Sequence, residues 1–382
     1  MTTLKQALDQ SYSRNCKLKP IKKREKELKS LLYGIDYNYY RDNTDPFTQN
    51  ILKKFPIPKK LIIKKEKIII NREINSLSDL INIIELYPIV SNAEYNIDIE
   101  RIRKIKEPLV ELNNLIGLYD LKNDILDQIL YYIQDFHKSN GMGYMHTVLY
   151  GCPGTGKTEV AKIIGKIFTQ LGILKKNTFK KVVRSDLIAG YLGQTAIKTK
   201  KVIEEALGGV LFIDEAYALG NSEKRDSFAK ECIDTLCEAL SDHKDDLIVI
   251  IAGYEKELDE CFFSYNQGLK SRFPWAFKTD KYSAEDLKNI FIKKILDINW
   301  SYDNISIDFF RDNINAFPYY GRDMEILFLK TKIAHGRRVF CKEDNIKKKL
   351  TLTDVEKGFE LFKKHNKKEK DLDIPPPYTM YN

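Results

Sequence analysis

Residues 147–158 read TVLYGCPGTGKT, a short apolar run that passes straight into a glycine-rich octet. The octet, Gly151, Cys152, Pro153, Gly154, Thr155, Gly156, Lys157 and Thr158, fits the pattern G-x-x-x-x-G-K-[ST]. Beyond it Val160, Ile163, Ile164, Ile167 and Leu171 recur at the steps of one helical face. Strand, glycine loop and helix in that order make a phosphate-binding loop. The glycines let successive N–H groups curl inward, and the helix adds the positive end of its dipole. Lys157 supplies charge for the β and γ phosphates, and Thr158 a hydroxyl for Mg²⁺, so ATP with Mg²⁺ is the expected ligand pair.

Sixty residues on, VLFIDEA at 210–216 places a carboxylate pair at the end of an apolar run. Ligands of open α/β sheets sit at such strand ends. With the phosphate loop upstream, Asp214 is the expected Mg²⁺ partner and Glu215 the general base for an attacking water. Apolar runs at 147–150, 181–184, 210–213 and 247–252 alternate with helix-period segments, as buried parallel strands with helices on both faces do. After Ser283 the pattern turns helical around 286–296, 308–314, 323–334 and 353–362. The fold class read here is α/β: a doubly wound parallel sheet of P-loop type, then a small all-helical lid subdomain, with a basic extension in front. Expected boundaries are 1–110 for the extension, 111–282 for the nucleotide-binding part, 283–362 for the lid and 363–382 for a Lys- and Pro-rich tail.

Composition excludes several classes. With 382 residues, 43% hydrophobic and 31% charged, the chain has globular composition. Its six cysteines form no C-x-x-C pair and its start, MTTLKQALDQ, has no apolar signal core, which points to reduced thiols in a cytoplasmic compartment, with the nucleus as the second reading. The five histidines lack metal-site spacing, and no apolar run approaches membrane-spanning length. A metal hydrolase and a membrane protein are therefore not expected. The net charge of +9 is concentrated in residues 1–110, which hold 22 Lys and Arg against 14 Asp and Glu. Clusters such as KPIKKREKELK meet the pattern of a polybasic patch for an acidic partner or nucleic acid, but interspersed glutamates fit a solvated amphipathic helix better.

Taken together, LIGLYDLKNDI from Leu115, the octet, DLIAGYLGQTAIKTKKVIEEALGGVLFIDEAYAL from Asp186, AGYEKELDE from Ala252 and NQGLKSRF from Asn266 resemble the AAA+ ATPases. More narrowly they resemble the CbbX/CfxQ (SpoVK-like) group, over about 112–362. The resemblance implies ATP hydrolysis in a homo-oligomeric ring, usually hexameric, that remodels a protein client. It places Arg272 as an arginine finger reaching a neighbour's γ-phosphate, a role worth roughly 10³–10⁵ in rate in related systems. Arg322 takes the sensor-2 position, although the family's G-N-x-R is here Tyr-Tyr-Gly-Arg. Ile116 and Gly117 correspond to the hinge against adenine, and Tyr191, Leu192 and Gly193 to a pore loop gripping polypeptide. Tyr254 falls where the family carries a polar sensor-1 residue, and the sequence leaves open whether it orients water or packs in the core. A nucleic-acid motor ranks lower because the chain beyond residue 110 is near neutral, and a nucleotide-switched scaffold because Glu215 and Arg272 are both present. In the tail, Pro375, Pro376 and Tyr378 belong to a PPPY match to WW-domain ligands, a short motif common by chance.

Overall fold

The computed structural model describes residues 66–90, 93–138, 143–191, 193–221, 223, 225–266 and 268–372, without the side chains of 345 and 366–372. Leu192, most of the basic extension and the PPPY motif lie outside the described residues. The chain divides into two units. Of the first, residues 1–66 and 91–94, only 66, 93 and 94 are described, and the second, 67–90 with 95–382, holds every element named below.

Its centre is a five-stranded parallel sheet: β1 Thr147–Tyr150, β2 Phe179–Val182, β3 Val210–Ile213, β4 Ile248–Gly253 and β5 Trp275–Lys278, in spatial order 2-3-4-1-5. Register is set by Phe179 beside Val210, Val210 beside Ile248, and Thr147 between Ile250 and Trp275. The three inner strands are buried at every residue, so period-two alternation there separates two cores, not core from water. Leu149, Phe212, Ile248 and Ile250 face one core, whereas Val148, Leu211, Ile213, Val249 and Ile251 face the other. β5 is an edge strand in which buried Phe277 sits between exposed Ala276 and Lys278. This alternation at the end of a Pro-broken stretch hides it from a search for continuous apolar runs, and the sequence reading had four strands. β2 also begins two residues earlier than that reading placed it, because Arg184 already starts a helix.

Helices cover both faces. On the first lie α1 Leu77–Leu86, α2 Ile99–Lys104, α3 Lys106–Asn113, α4 Tyr119–Ile133 and α5 Lys157–Gln170. The second carries α6 Arg184–Leu187, α7 Thr195–Ala206, α8 Ser227–Asp242 and α9 Glu255–Cys261. Leu77, Leu80, Ile84, Ile102, Leu109 and Leu112 join the same core as the helix behind the phosphate loop. An appendage ending at 110 is therefore not what these residues form: the folded body reaches back to α1. Polar ties add to this, with Lys166 bonded to Glu111 at 2.7 Å and Arg101 donating to the Leu171 and Ile133 carbonyls.

The lid comprises α10 Ala284–Leu296, α11 Ile307–Asp312, α12 Gly321–Val339, α13 Asp344–Lys347 and α14 Leu352–Leu372. Ser283 and Asp286 form a capping box at the start of α10, satisfying amides that a helix leaves free. The lid is helical apart from one short parallel pair, β6 Ser301–Asp303 with β7 Lys349–Thr351. Its interior is aromatic, with Phe291, Phe310, Phe317, Phe328, Phe359 and Phe362 in one cluster.

Candidate nucleotide site

Where β1 and β4 end together, the chain turns back as the glycine loop, fastened at its base by Gly151 N–H donating to the Gly253 carbonyl at 3.0 Å. Gly154 and Gly156 have φ of 78° and 85°, a left-handed backbone that glycine adopts without a Cβ penalty. Thr155 is buried under the loop, donating to the Cys152 carbonyl at 2.8 Å, and receives the Thr279 hydroxyl at 3.1 Å. Tyr282 donates its hydroxyl to the Thr155 carbonyl at 3.2 Å. The loop is thus shaped by residues on three sides before any ligand enters.

A cavity of about 460 Å³ opens over this loop. It is lined by Gly151, Pro153, Gly154, Gly156, Lys157 and Thr158, by Asp214 and Glu215 after β3, and by Ile116, Tyr254 and Arg322. Residues from five separate stretches of sequence therefore meet in one place. Cys152 is exposed outside this lining, and Gly117 lines an adjoining hollow of about 440 Å³. Gly117 (φ 65°) and Leu118 (φ 58°) make a left-handed bend, and Lys122 steadies the stretch before it by donating to the Asn113 and Leu115 carbonyls.

Lys157 donates to the Gly151 and Cys152 carbonyls at 2.8 and 2.7 Å, which folds its ammonium back over the loop. Burial lowers its pKa, while nearby Asp214 works against that shift. Asp214 is paired with Lys181 of β2 at 2.7 Å. Glu215 sits at φ 51°, ψ 45°, a left-handed conformation unusual for a glutamate, and a 3₁₀ turn, Ala216–Leu219, follows it. Arg184 holds that turn by donating to the Ala218 and Leu219 carbonyls, and it pairs with Asp226, the cap of α8. Tyr254 is no core residue. It lines the cavity 5.9 Å from the Tyr217 ring, and burial raises the pKa of both phenols.

The oxygen donors suit a hard cation. The Thr158 hydroxyl and Asp214 carboxylate line the same cavity, and Mg²⁺ takes one or two such ligands together with phosphate oxygens and water. Among the described residues no group of three or more His, Cys, Asp or Glu could hold a metal by itself.

Arg272 lies elsewhere. In a 3₁₀ turn at Lys270–Arg272, it donates to Ser241 Oγ at 2.8 Å and the Gly268 carbonyl at 2.7 Å, and it is not among the residues lining the cavity. Tyr191 is 74% exposed, and Gly190 and Gly193 have open space around them. Several lining residues escaped the sequence reading: Tyr217, Tyr282, Lys293, Lys294, Asp297 and Glu325. Lys181 falls in the 181–184 run, where the sequence assigns it no role. Its signal is a lysine at the end of a strand adjoining the carboxylate-bearing one.

A parallel 2-3-4-1-5 sheet with a glycine loop, a carboxylate pair and a helical lid defines an AAA-type P-loop ATPase. Residues 147–269 match the ATPase family associated with various cellular activities (AAA). The chain is 38% identical over 305 residues to a cfxQ-like protein of Acanthamoeba polyphaga mimivirus, covering 78% of this chain and 75% of that protein. It is 33% identical over 262 residues to the plasmid-borne protein CbxX of Cupriavidus necator, covering 66% of this chain and 82% of that protein. To stage V sporulation protein K of Bacillus subtilis it is 38% identical over 198 residues, half of this chain and 61% of that one. The chain belongs to the CbbX/CfxQ/SpoVK group of AAA+ ATPases and is an ATP hydrolase. Among the described residues no helix is long and apolar enough to cross a membrane.

Proposed function

We propose that this ATPase works as a homo-oligomeric ring, six subunits being usual for the family it resembles, and that hydrolysis drives remodelling of a protein client. The observation that carries the reading is the place of Arg272, held by Ser241 and Gly268 away from the cavity of its own chain. An arginine so placed serves a site only if that site belongs to a neighbour.

Within the cavity, loop amides and Lys157 hold the β and γ phosphates of ATP, Arg322 approaches them from the lid, and Ile116 flanks the base. Thr158 and Asp214 hold Mg²⁺, which when bound neutralises phosphate charge. Glu215 takes a proton from water as the water oxygen bonds to the γ phosphorus. The bond from that phosphorus to the bridging oxygen breaks, leaving ADP and phosphate. Arg272 of the adjacent subunit stabilises the charge on the equatorial oxygens. Tyr191, an exposed aromatic between mobile-capable glycines, makes apolar contact with an extended polypeptide.

Specific ATPase activity against protein concentration, with Lys157→Ala as the blank, tests the ring. A rate per chain that climbs and saturates is expected. A rate above the blank that stays constant down to concentrations where sedimentation finds only monomer would exclude sites completed in trans.

A further inference from the structure

The first turn of α12 is bonded directly to the phosphate loop. Gly321 N–H donates to the Gly154 carbonyl at 3.0 Å. A Cβ on Gly154 would stand 2.0 Å from the Tyr319 carbonyl oxygen, and one on Gly321 would stand 2.7 Å from the Gly154 oxygen. The two backbones meet this closely because both positions are glycine. The chain arrives there through Tyr320 at φ 44°, ψ −107°, a sparsely populated conformation that persists only where its surroundings over-determine it.

Two contacts supply that determination. The Asp323 carboxylate, 2% exposed, accepts the Tyr319 amide at 2.6 Å and so closes the turn across Tyr320. The Tyr320 ring packs edge-on against Tyr282 at 5.5 Å, and Tyr282 is itself bonded to the Thr155 carbonyl. Lid and loop are therefore joined twice, once by backbone and once through Tyr282. Between the strained residue and Asp323 lie Gly321 and Arg322, so whatever fixes the turn also fixes where Arg322 enters the cavity. Burial raises the pKa of Asp323, and the Tyr319 amide works against that shift.

We propose that Asp323 is a positioning residue that fastens a backbone latch between lid and phosphate loop, and that opening this latch governs release of ADP. The inference rests on reading the cavity as the nucleotide site. Without the Asp323 carboxylate, Tyr320 relaxes toward ordinary φ, and Gly321 and Arg322 withdraw together. The Gly154–Gly321 bond is then lost at little cost, and bound diphosphate leaves sooner.

The test is stopped-flow release of N-methylanthraniloyl-ADP, chased with unlabelled ADP, from the full-length chain and three variants. Asp323→Leu removes the acceptor. Gly321→Ala inserts a methyl between lid and loop. Asp323→Asn keeps an oxygen able to accept the Tyr319 amide. Loss of the Tyr319 hydrogen bond to the buried Asp323 carboxylate predicts release about tenfold faster or more in Asp323→Leu, with Asp323→Asn within about threefold of wild type. The methyl of Gly321→Ala, 2.7 Å from the Gly154 oxygen, parts lid from loop and should speed release in the same direction. KM for ATP rises while kcat does not fall. A purely structural role would lower the melting temperature and leave release unchanged. Release within about twofold of wild type in both disruptive variants overturns the latch. Equal acceleration by Asp323→Asn and Asp323→Leu overturns the part given to the acceptor oxygen. If Asp323→Leu does not fold, Gly321→Ala decides between the same two results. Failure of wild type to bind the labelled ADP at all overturns the nucleotide site and the latch with it.

Discussion

Replacing Asp354 with alanine removes a single carboxylate from the lid and strips five donor contacts of their acceptor. Arg338 reaches it at 2.7 and 2.8 Å, His335 Nδ1 at 3.0 Å, and Thr351 through its amide and hydroxyl, both at 3.0 Å. The Asp354 side chain is 1% exposed and that of His335 2%, so His335 does not regain water easily, whereas Arg338 at 32% does. Breaking a buried charge pair by removing one partner costs about 3–5 kcal/mol, and the exposure of Arg338 places this case near about 3. At about 2–4 °C per kcal/mol for a large domain, Tm should fall by about 6–12 °C. Burial alone would raise the pKa of Asp354, but the Arg338, His335 and Thr351 hydrogen bonds outweigh it and hold the carboxyl far below its ordinary value. A depressed folded-state pKa gives stability that is fully present above the unfolded value and fades as pH falls through the folded one. The gap between wild type and variant should therefore shrink only below about pH 4. Thermal melts followed by circular dichroism read both quantities. A Tm within about 2 °C of wild type at pH 7 would refute the reasoning, because the lid would then have replaced these contacts without cost.

Two further outcomes follow from the site. Lys181→Met removes the cation 2.7 Å from Asp214, a partly exposed pair worth roughly 0.2–1 kcal/mol, and should lower the Mg²⁺ concentration for half-maximal nucleotide binding by about 1.4- to fivefold. An unchanged Mg²⁺ titration would show that the pair does not compete with the metal. Tyr191→Ala should keep basal ATP turnover and lose remodelling of the client, and a variant that still processes its client at the wild-type rate would remove the role given to Tyr191 in gripping polypeptide.

What could be read in advance follows the range of the interaction. The octet at 151–158 and the DE pair at 214–215 declare themselves because each packs its chemistry into a few consecutive residues next to a buried strand. Strands β1, β3 and β4 were legible for the same reason, since burial on both faces writes an unbroken apolar run. β5 was not, because an edge strand with one buried face looks like loop when only four residues long. Helices α1 to α3 have apolar spacing of their own, but lysines and glutamates around it give the whole first third a solvated texture. Only packing against α5 shows where those leucines go. The contacts of Tyr282 with Thr155, Lys181 with Asp214 and Gly321 with Gly154 join positions 33 to 167 residues apart, and no local pattern encodes them.

The left-handed backbone at Glu215 carries an evolutionary consequence. An L residue in that region gives up roughly 1–2 kcal/mol against an ordinary conformation, and glycine or asparagine would sit there with less strain. Folding and chemistry thus favour different amino acids at one position. A lineage released from the need to hydrolyse ATP would find its stabilising substitution on the very residue proposed as the base. Descendants that kept the fold while losing turnover would then tend to carry glycine or asparagine at this site, melting higher than their working ancestor.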